Sequence, residues 1–310
     1  MQLTEKPILE VNSINQELTF AKGIHLDILR LDKVHPYISG NKWYKLKYNL
    51  LEAKAQSYSQ LLTFGGAFSN HLYATAAAAK EYGFQVIGVV RGEEHLPLNS
   101  TLEFATAQGM KLKYVNREAY QNKEAAAFLA SLTSEFGPSY IIPEGGSNVL
   151  AVKACTEIVE QPEKYDYICC CVGTGGTIAG IIEKTQSQAK VLGFSALKGG
   201  SFLYDNINLL TQGYSGKIYK SYQIIEDYHF GGYAKADRKL VNFINTFKKE
   251  HHIQLDPIYT GKMVYSLYDM LKNGYFGTGD RILIVHSGGL QGIAGFNQRY
   301  QKKNLYISID

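Results

Sequence analysis

Cysteine is scarce in this chain and oddly placed. Four stand in 310 residues, Cys155, Cys169, Cys170 and Cys171, three of them consecutive in an apolar run. Neighbours along a strand point to opposite faces, so this spacing suits neither a zinc site nor a disulfide framework. Buried, reduced thiols acting as small hydrophobes are the expectation, and reduced thiols fit a cytoplasmic compartment. Pro-rich linkers, low-complexity tracts and internal repeats are missing too, so composition marks no domain boundary. The 32 Lys and Arg exceed the 28 Asp and Glu by only four and are spread along the chain, which argues against a nucleic-acid arm. No apolar run approaches the roughly 20 residues of a membrane span. The first residues, Met-Gln-Leu-Thr-Glu-Lys-Pro, have no basic start followed by an apolar stretch, so no signal peptide is expected. No metal site is evident, and His251-His252 read as a solvated pair near a helix end.

What is present is an ordinary globular balance, 45% hydrophobic and 19% charged. Continuous apolar runs at 61–64, 85–90, 112–115, 140–142, 165–172, 191–195 and 281–286 read as strands covered on both faces. Helical patterns at 71–82, 101–108, 123–135, 177–184 and 236–250 lie between them. This alternation predicts parallel α/β sheets. Four of the runs lead into Gly- or Ser-rich turns, at 65–70, 144–148, 173–177 and 287–292. Ligands in open α/β sheets bind beyond the carboxyl ends of strands, so several of these ends are expected to face one cleft.

The clearest chemical signal is Gly173-Thr174-Gly175-Gly176-Thr177, which follows a strand and opens a helix. Glycines let successive amides converge on one anion, and the helix N-terminus adds partial positive charge. The run has neither the lysine of a P-loop nor the spacing of a dinucleotide fingerprint; a plain strand-to-helix turn is the alternative. In the segment 39–48, Lys45 and Lys47 read as a solvated helix face, while Lys42 sits beside Gly40 and Asn41 just before an aromatic-rich helix. Ser69-Asn70-His71 fits a helix cap or a carboxylate site equally well. His71 alone is more often structural than catalytic. Tyr259, in the Pro- and Gly-marked turn 255–262, carries nothing alone among 23 tyrosines.

Together and in this order, over about 35–292, these segments resemble the fold-type II pyridoxal 5'-phosphate enzymes of the 1-aminocyclopropane-1-carboxylate (ACC) deaminase and D-cysteine desulfhydrase family. The resemblance implies two open, mostly parallel α/β domains of the tryptophan-synthase-beta-like fold, with the cofactor in the cleft between them. A large domain, 1–52 and 149–310, would carry an inserted small one, 53–148. Homodimers are usual in such a family. It implies that Lys42 is the Schiff-base lysine and general base, and that Asn70 bonds the pyridoxal 3'-oxygen. Ser69, Asn70 and His71 would receive the substrate carboxylate, and Ser69 would also move protons. Gly173, Thr174, Gly175, Gly176 and Thr177 would hold the phosphate, and Ser287 would face the pyridine nitrogen. Tyr259, and Tyr233 in a less securely matched stretch, would stand near the substrate.

Two positions bear on the branch. The deaminases carry Glu where this chain has Thr260, and Leu where it has Ser287. A hydroxyl cannot hold full positive charge on the ring as Glu does, and a weaker electron sink suits beta-elimination better than opening a cyclopropane. A lyase that takes D-cysteine to sulfide, pyruvate and ammonia is therefore expected, with ACC deamination to 2-oxobutanoate and ammonia as the alternative. Ser39, Tyr44 and Phe68 depart from the family's usual Gly, Arg and Gln, which leaves other D-amino acids with a beta leaving group open. Rivals of another class are a catalytically silent binder of the cofactor and a nucleotide-binding dehydrogenase. Retained Lys42, Ser69 and Tyr259 argue against the first, and the missing dinucleotide pattern against the second.

Overall fold

The computed structural model describes residues 3, 5, 7–14 and 23–309. The strands are β1 Val11–Ile14, β2 His25–Arg30, β3 Gln60–Gly66, β4 Gln85–Arg91, β5 Met110–Val115, β6 Tyr140–Ile142, β7 Tyr167–Val172, β8 Lys190–Ser195, β9 Tyr222–Ile225 and β10 Arg281–His286. The helices are α1 Asn41–Ala55, α2 Asn70–Tyr82, α3 Ser100–Ala107, α4 Arg117–Gln121, α5 Ala126–Phe136, α6 Val149–Cys155, α7 Gly176–Thr185, α8 Phe202–Ser215, α9 Arg238–His251, α10 Thr260–Lys272 and α11 Gly292–Tyr300. Each of the seven expected strands is present. β1, β2 and β9 were not anticipated from the pattern, nor were α4, α6, α8, α10 and α11.

The strands form two sheets, ordered β1-β2-β10-β7-β8-β9 and β5-β4-β3-β6. Among the described residues, every pairing between these strands is parallel except β1 with β2. In the larger sheet β8 and β9 step away from β7 on one side while β10 lies on the other. In the smaller sheet β4 and β5 step away from β3 while β6 lies opposite. The strand order thus reverses between β7 and β10 and between β3 and β6. The four turns singled out in the sequence leave the carboxyl ends of these four strands, the positions where doubly wound sheets bind ligands.

Strands buried on both faces explain the continuous apolar runs. On β7, Ile168, Cys170 and Val172 join one core cluster, while Cys169 and Cys171 join the other, beneath α9, α10 and α11. All four cysteines are free and buried. The first cluster continues through α1 and α2 into Leu61, Val86 and Val90 of the smaller sheet, so both sheets share apolar packing. α2 shows why the local sequence obeys. Ser69 caps its first turn, its run of alanines has the highest helix propensity, and Gly83 ends it in the left-handed region at φ 78°.

Candidate active site

Lys42 is placed by the residues just before it. Gly40 has φ 69°, and a Cβ there would fall 1.9 Å from the Ser287 carbonyl oxygen, so only glycine fits. The Asn41 amide donates to that same carbonyl at 3.1 Å, pinning the start of α1 to the end of β10. The Asn41 side-chain amide donates to Thr177 Oγ1 at 2.9 Å, tying it also to the start of α7. Lys42 Nζ reaches Asn41 Oδ1 at 3.4 Å, a long contact for an amine with such capacity to donate. Burial lowers the Lys42 amine to about 8.

The Gly173–Thr177 turn opens α7 through Gly175 at φ 91°, with no side chain capping the helix. Lys45 overturns the expectation of a solvated face: it is 2% exposed, and Lys47 is 5% exposed. Lys45 Nζ donates to Ser147 Oγ at 2.7 Å and Thr174 Oγ1 at 3.2 Å, and those two hydroxyls bond each other. A Cβ on Gly176 would lie 2.8 Å from Ser147 Oγ and 3.2 Å from Lys45 Nζ. The turn therefore carries a buried amine, lowered well below the ordinary lysine range by burial and by nearby Lys42. Lys47 pairs with Glu157 at 2.7 Å, where Tyr48 also donates at 2.6 Å. Sequence reasoning missed Lys45, although its spacing from Lys42, i to i+3, puts both on one helix face.

On the side of the smaller sheet, Ser69 Oγ accepts from the amides of His71 at 3.2 Å and Leu72 at 3.3 Å. The cap reading is thus realised. Asn70 projects toward the β10 turn: a Cβ on Gly289 would lie 2.8 Å from Asn70 Nδ2. The His71 side chain is elsewhere. It is 2% exposed, with Nε2 2.8 Å from Thr63 Oγ1, and burial and the two nearby lysines hold it well below the ordinary histidine range. Its backbone amide is spent in the Ser69 cap.

Tyr259 closes the other wall, its hydroxyl 3.3 Å from where a Gly173 Cβ would stand. Tyr233 meets it edge-on with ring centroids 6.0 Å apart. Burial, then Tyr233, raises the Tyr259 phenol well above its ordinary value, and burial raises Tyr233 as well, so both stay protonated. Asp256, fully buried, accepts from the amides of Ile258 at 2.8 Å, Tyr259 at 2.9 Å and Thr260 at 2.7 Å. The Thr260 hydroxyl donates to it at 2.7 Å and accepts from the Asp256 amide at 2.9 Å. The Thr260 hydroxyl is thereby spent in the cap of α10 and is not the free ring partner that the sequence comparison pictured. Ser287 neighbours Cys171, whose thiol is raised well above its ordinary value by burial and then by Asp256, with the Ser287 hydroxyl opposing.

The model of the family described as pyridoxal-phosphate dependent enzyme matches residues 5–288. The chain belongs to that family. Within it, the chain is 32% identical over 295 residues to the bifunctional D-cysteine desulfhydrase/ACC deaminase, mitochondrial, of Arabidopsis thaliana, covering 87% of this chain and 74% of that one. It is 31% identical over 287 residues to a protein of Pyrococcus furiosus provisionally named an ACC deaminase, covering 87% and 86%. D-cysteine desulfhydrase of Klebsiella pneumoniae strain 342 is 26% identical, covering 89% and 90%. The solved structure of an ACC deaminase homologue superposes with a TM-score of 0.83 at 27% identity, over 97% of this chain and 95% of that one. These likenesses place the chain among the ACC deaminase and D-cysteine desulfhydrase relatives, pyridoxal-phosphate-dependent lyases of the fold-type II group.

The residues present fit pyridoxal phosphate. An anion is served by a glycine turn at the N-terminus of α7 with the Lys45 amine beside it. An aldehyde is served by the Lys42 amine, lowered by burial and without a close partner.

Proposed function

We propose that this lyase eliminates sulfide from D-cysteine, with uptake of one water and release of pyruvate and ammonia. The observation that carries this reading is that, among the described residues, the buried acids beside Ser287 have no free oxygen to offer. The buried carboxylates on either side of its turn are both committed, Asp256 to the four donors named above and Asp32 to the Arg30 guanidinium through two bonds, at 2.6 and 2.8 Å. A ring nitrogen facing a hydroxyl is a weaker electron sink than one paired with a carboxylate. It suffices where a leaving group departs with the electrons.

Bound pyridoxal phosphate supplies that sink. The chain supplies the rest. Gly173, Thr174, Gly175, Gly176 and Thr177 would hold the phosphate with Lys45, and Asn70 and Ser287 would fix the ring. Ser69 and Asn70, at the positive end of α2, receive the substrate carboxylate, with the His71 amide steadied by Ser69. Lys42 Nζ takes the alpha proton, and burial brings its basicity to about 8, near the pH at which it must work. Tyr259, kept protonated by burial and by Tyr233, donates its Oη proton to the departing sulfur. We further infer that the chain divides into 1–52 with 149–310 about the larger sheet and 53–148 about the smaller, the first boundary falling in the last turn of α1.

The test is release of sulfide and pyruvate from D-cysteine, with L-cysteine and ACC in parallel and Lys42→Ala as control. Release from D-cysteine that vanishes in the control is the expected result. 2-Oxobutanoate from ACC as the main product would overturn the argument from Ser287 and leave the family intact. Normal binding of the cofactor with no turnover of any of the three would point to a silent binder.

A further inference from the structure

The segment 228–233 lies along one face of α10, in the opposite direction to it. Tyr228 donates to Asp269 Oδ2 at 2.7 Å. The Phe230 ring meets Tyr265 edge-on at 5.1 Å. Lys262 Nζ donates to the carbonyls of His229 and Gly232, both at 2.8 Å. Tyr233 ends the segment against Tyr259. Asp269, Tyr265, Lys262 and Tyr259 follow one another at helical spacing, so a single face of α10 meets the whole segment.

Left alone, this segment would not hold its shape. Phe230 and Ala234 have φ of 52° and 54°, and Gly231 and Gly232 lie at 91° and 113°. Side chains at positive φ persist where the surroundings over-determine them. Two successive turns meet at the Lys262 amine: the Gly232 amide bonds the His229 carbonyl, and the Lys235 amide bonds the Gly232 carbonyl. The same two carbonyls receive Lys262. A lysine only 2% exposed, with no carboxylate bonded to it, is a costly thing to keep, and these carbonyls are what its donors satisfy.

We propose that Lys262 is a positioning residue that pins the 228–233 segment and thereby delivers Tyr233 to Tyr259 at the substrate side of the site. This deepens the reading of Tyr233 as an active-site residue and rests on it. Lys262 acts through the backbone and touches neither substrate nor cofactor.

The test joins two readouts on the cofactor-loaded enzyme: amide hydrogen exchange of 228–235, and steady-state kinetics of Lys262→Met, Tyr233→Phe and the double variant. Lys262→Met is expected to speed exchange in that segment while β7 and β10 stay protected. It should lower kcat/KM by about tenfold or more, as loss of alignment does. The double variant should then fall within about threefold of the more impaired single variant, because both remove the same contribution. Multiplicative losses, or exchange unchanged in 228–235, would overturn the proposal. Lys262→Gln, which can keep a donor toward only part of the two carbonyls, gives the same exchange and kinetic test if Lys262→Met does not fold, with a smaller effect expected. If Tyr233→Phe is fully active while Lys262→Met still loosens the segment, the reading of Tyr233 fails and the pin stands.

Discussion

The Asn41 side chain donates to Thr177 Oγ1 across 2.9 Å, joining the residue before Lys42 to the last residue of the Gly173–Thr177 turn. The two helices that start there are thus aligned with each other directly. Asn41→Ala should weaken cofactor binding about tenfold, with a stability loss near that of one hydrogen bond, about 1 kcal/mol. Fluorescence titration of the apo-protein and denaturant unfolding measure the two. An unchanged affinity would show that α1 and α7 are aligned by packing alone.

Lys45 sets opposite expectations for the two forms. Its buried amine pairs with hydroxyls and no carboxylate, so removing it from the apo-protein by Lys45→Met should leave Tm unchanged or raise it. In the loaded enzyme, where Lys45 is proposed to serve the phosphate, the same change should lower affinity at least about tenfold. Melting with and without pyridoxal phosphate compares them directly. A Tm that falls equally in both would mean Lys45 is structural.

Lys42 should show its lowered pKa in the pH dependence of cofactor uptake. The neutral amine reacts and protonation blocks it, so the uptake rate should rise with pH and level off above about 8. A rate still climbing toward an ordinary lysine value of about 10.4 would mean the amine is solvated. Stopped-flow absorbance of the apo-protein follows it.

Thr260 cannot simply be exchanged for the glutamate of the deaminase branch. Its hydroxyl bonds a fully buried Asp256, so a carboxylate there would face a second one without water to screen them. Thr260→Glu should be destabilised and gain no activity on ACC. Thr260→Val, which loses the bond to the Asp256 carboxylate and leaves the buried Asp256 amide without its acceptor, should cost at least about 1–3 kcal/mol. Denaturant unfolding with a 2-oxobutanoate assay decides both, and a folded, ACC-active Thr260→Glu protein would refute the committed role of Asp256.

The sequence made legible what is local. Uninterrupted apolar runs marked β7 and β10, and glycines after them marked the turns at the strand-order reversal between these two. β2 escaped notice because Asp27 breaks its apolar run, a residue held by Ser13 at 2.6 Å and Tyr165 at 3.1 Å that no pattern along the chain reveals. Lys45 and Lys262 look like any surface lysine until distant residues close over them. Thr260 was read by its position in a motif, but its partner is Asp256, four residues earlier in the same motif, and only the fold shows the hydroxyl turned that way. The Gly173–Thr177 turn is built from neighbours in sequence, whereas the residues that steady it come from 45 and 147.

Three consecutive thiols on β7 look into different layers of the protein, Cys170 toward α1 and α7, Cys169 and Cys171 toward α10. A thiol-alkylating probe reaches either layer only when that layer opens. The order in which the three become alkylated therefore records, within one short peptide, whether the two layers breathe together or apart, and whether filling the cleft with cofactor slows one before the other.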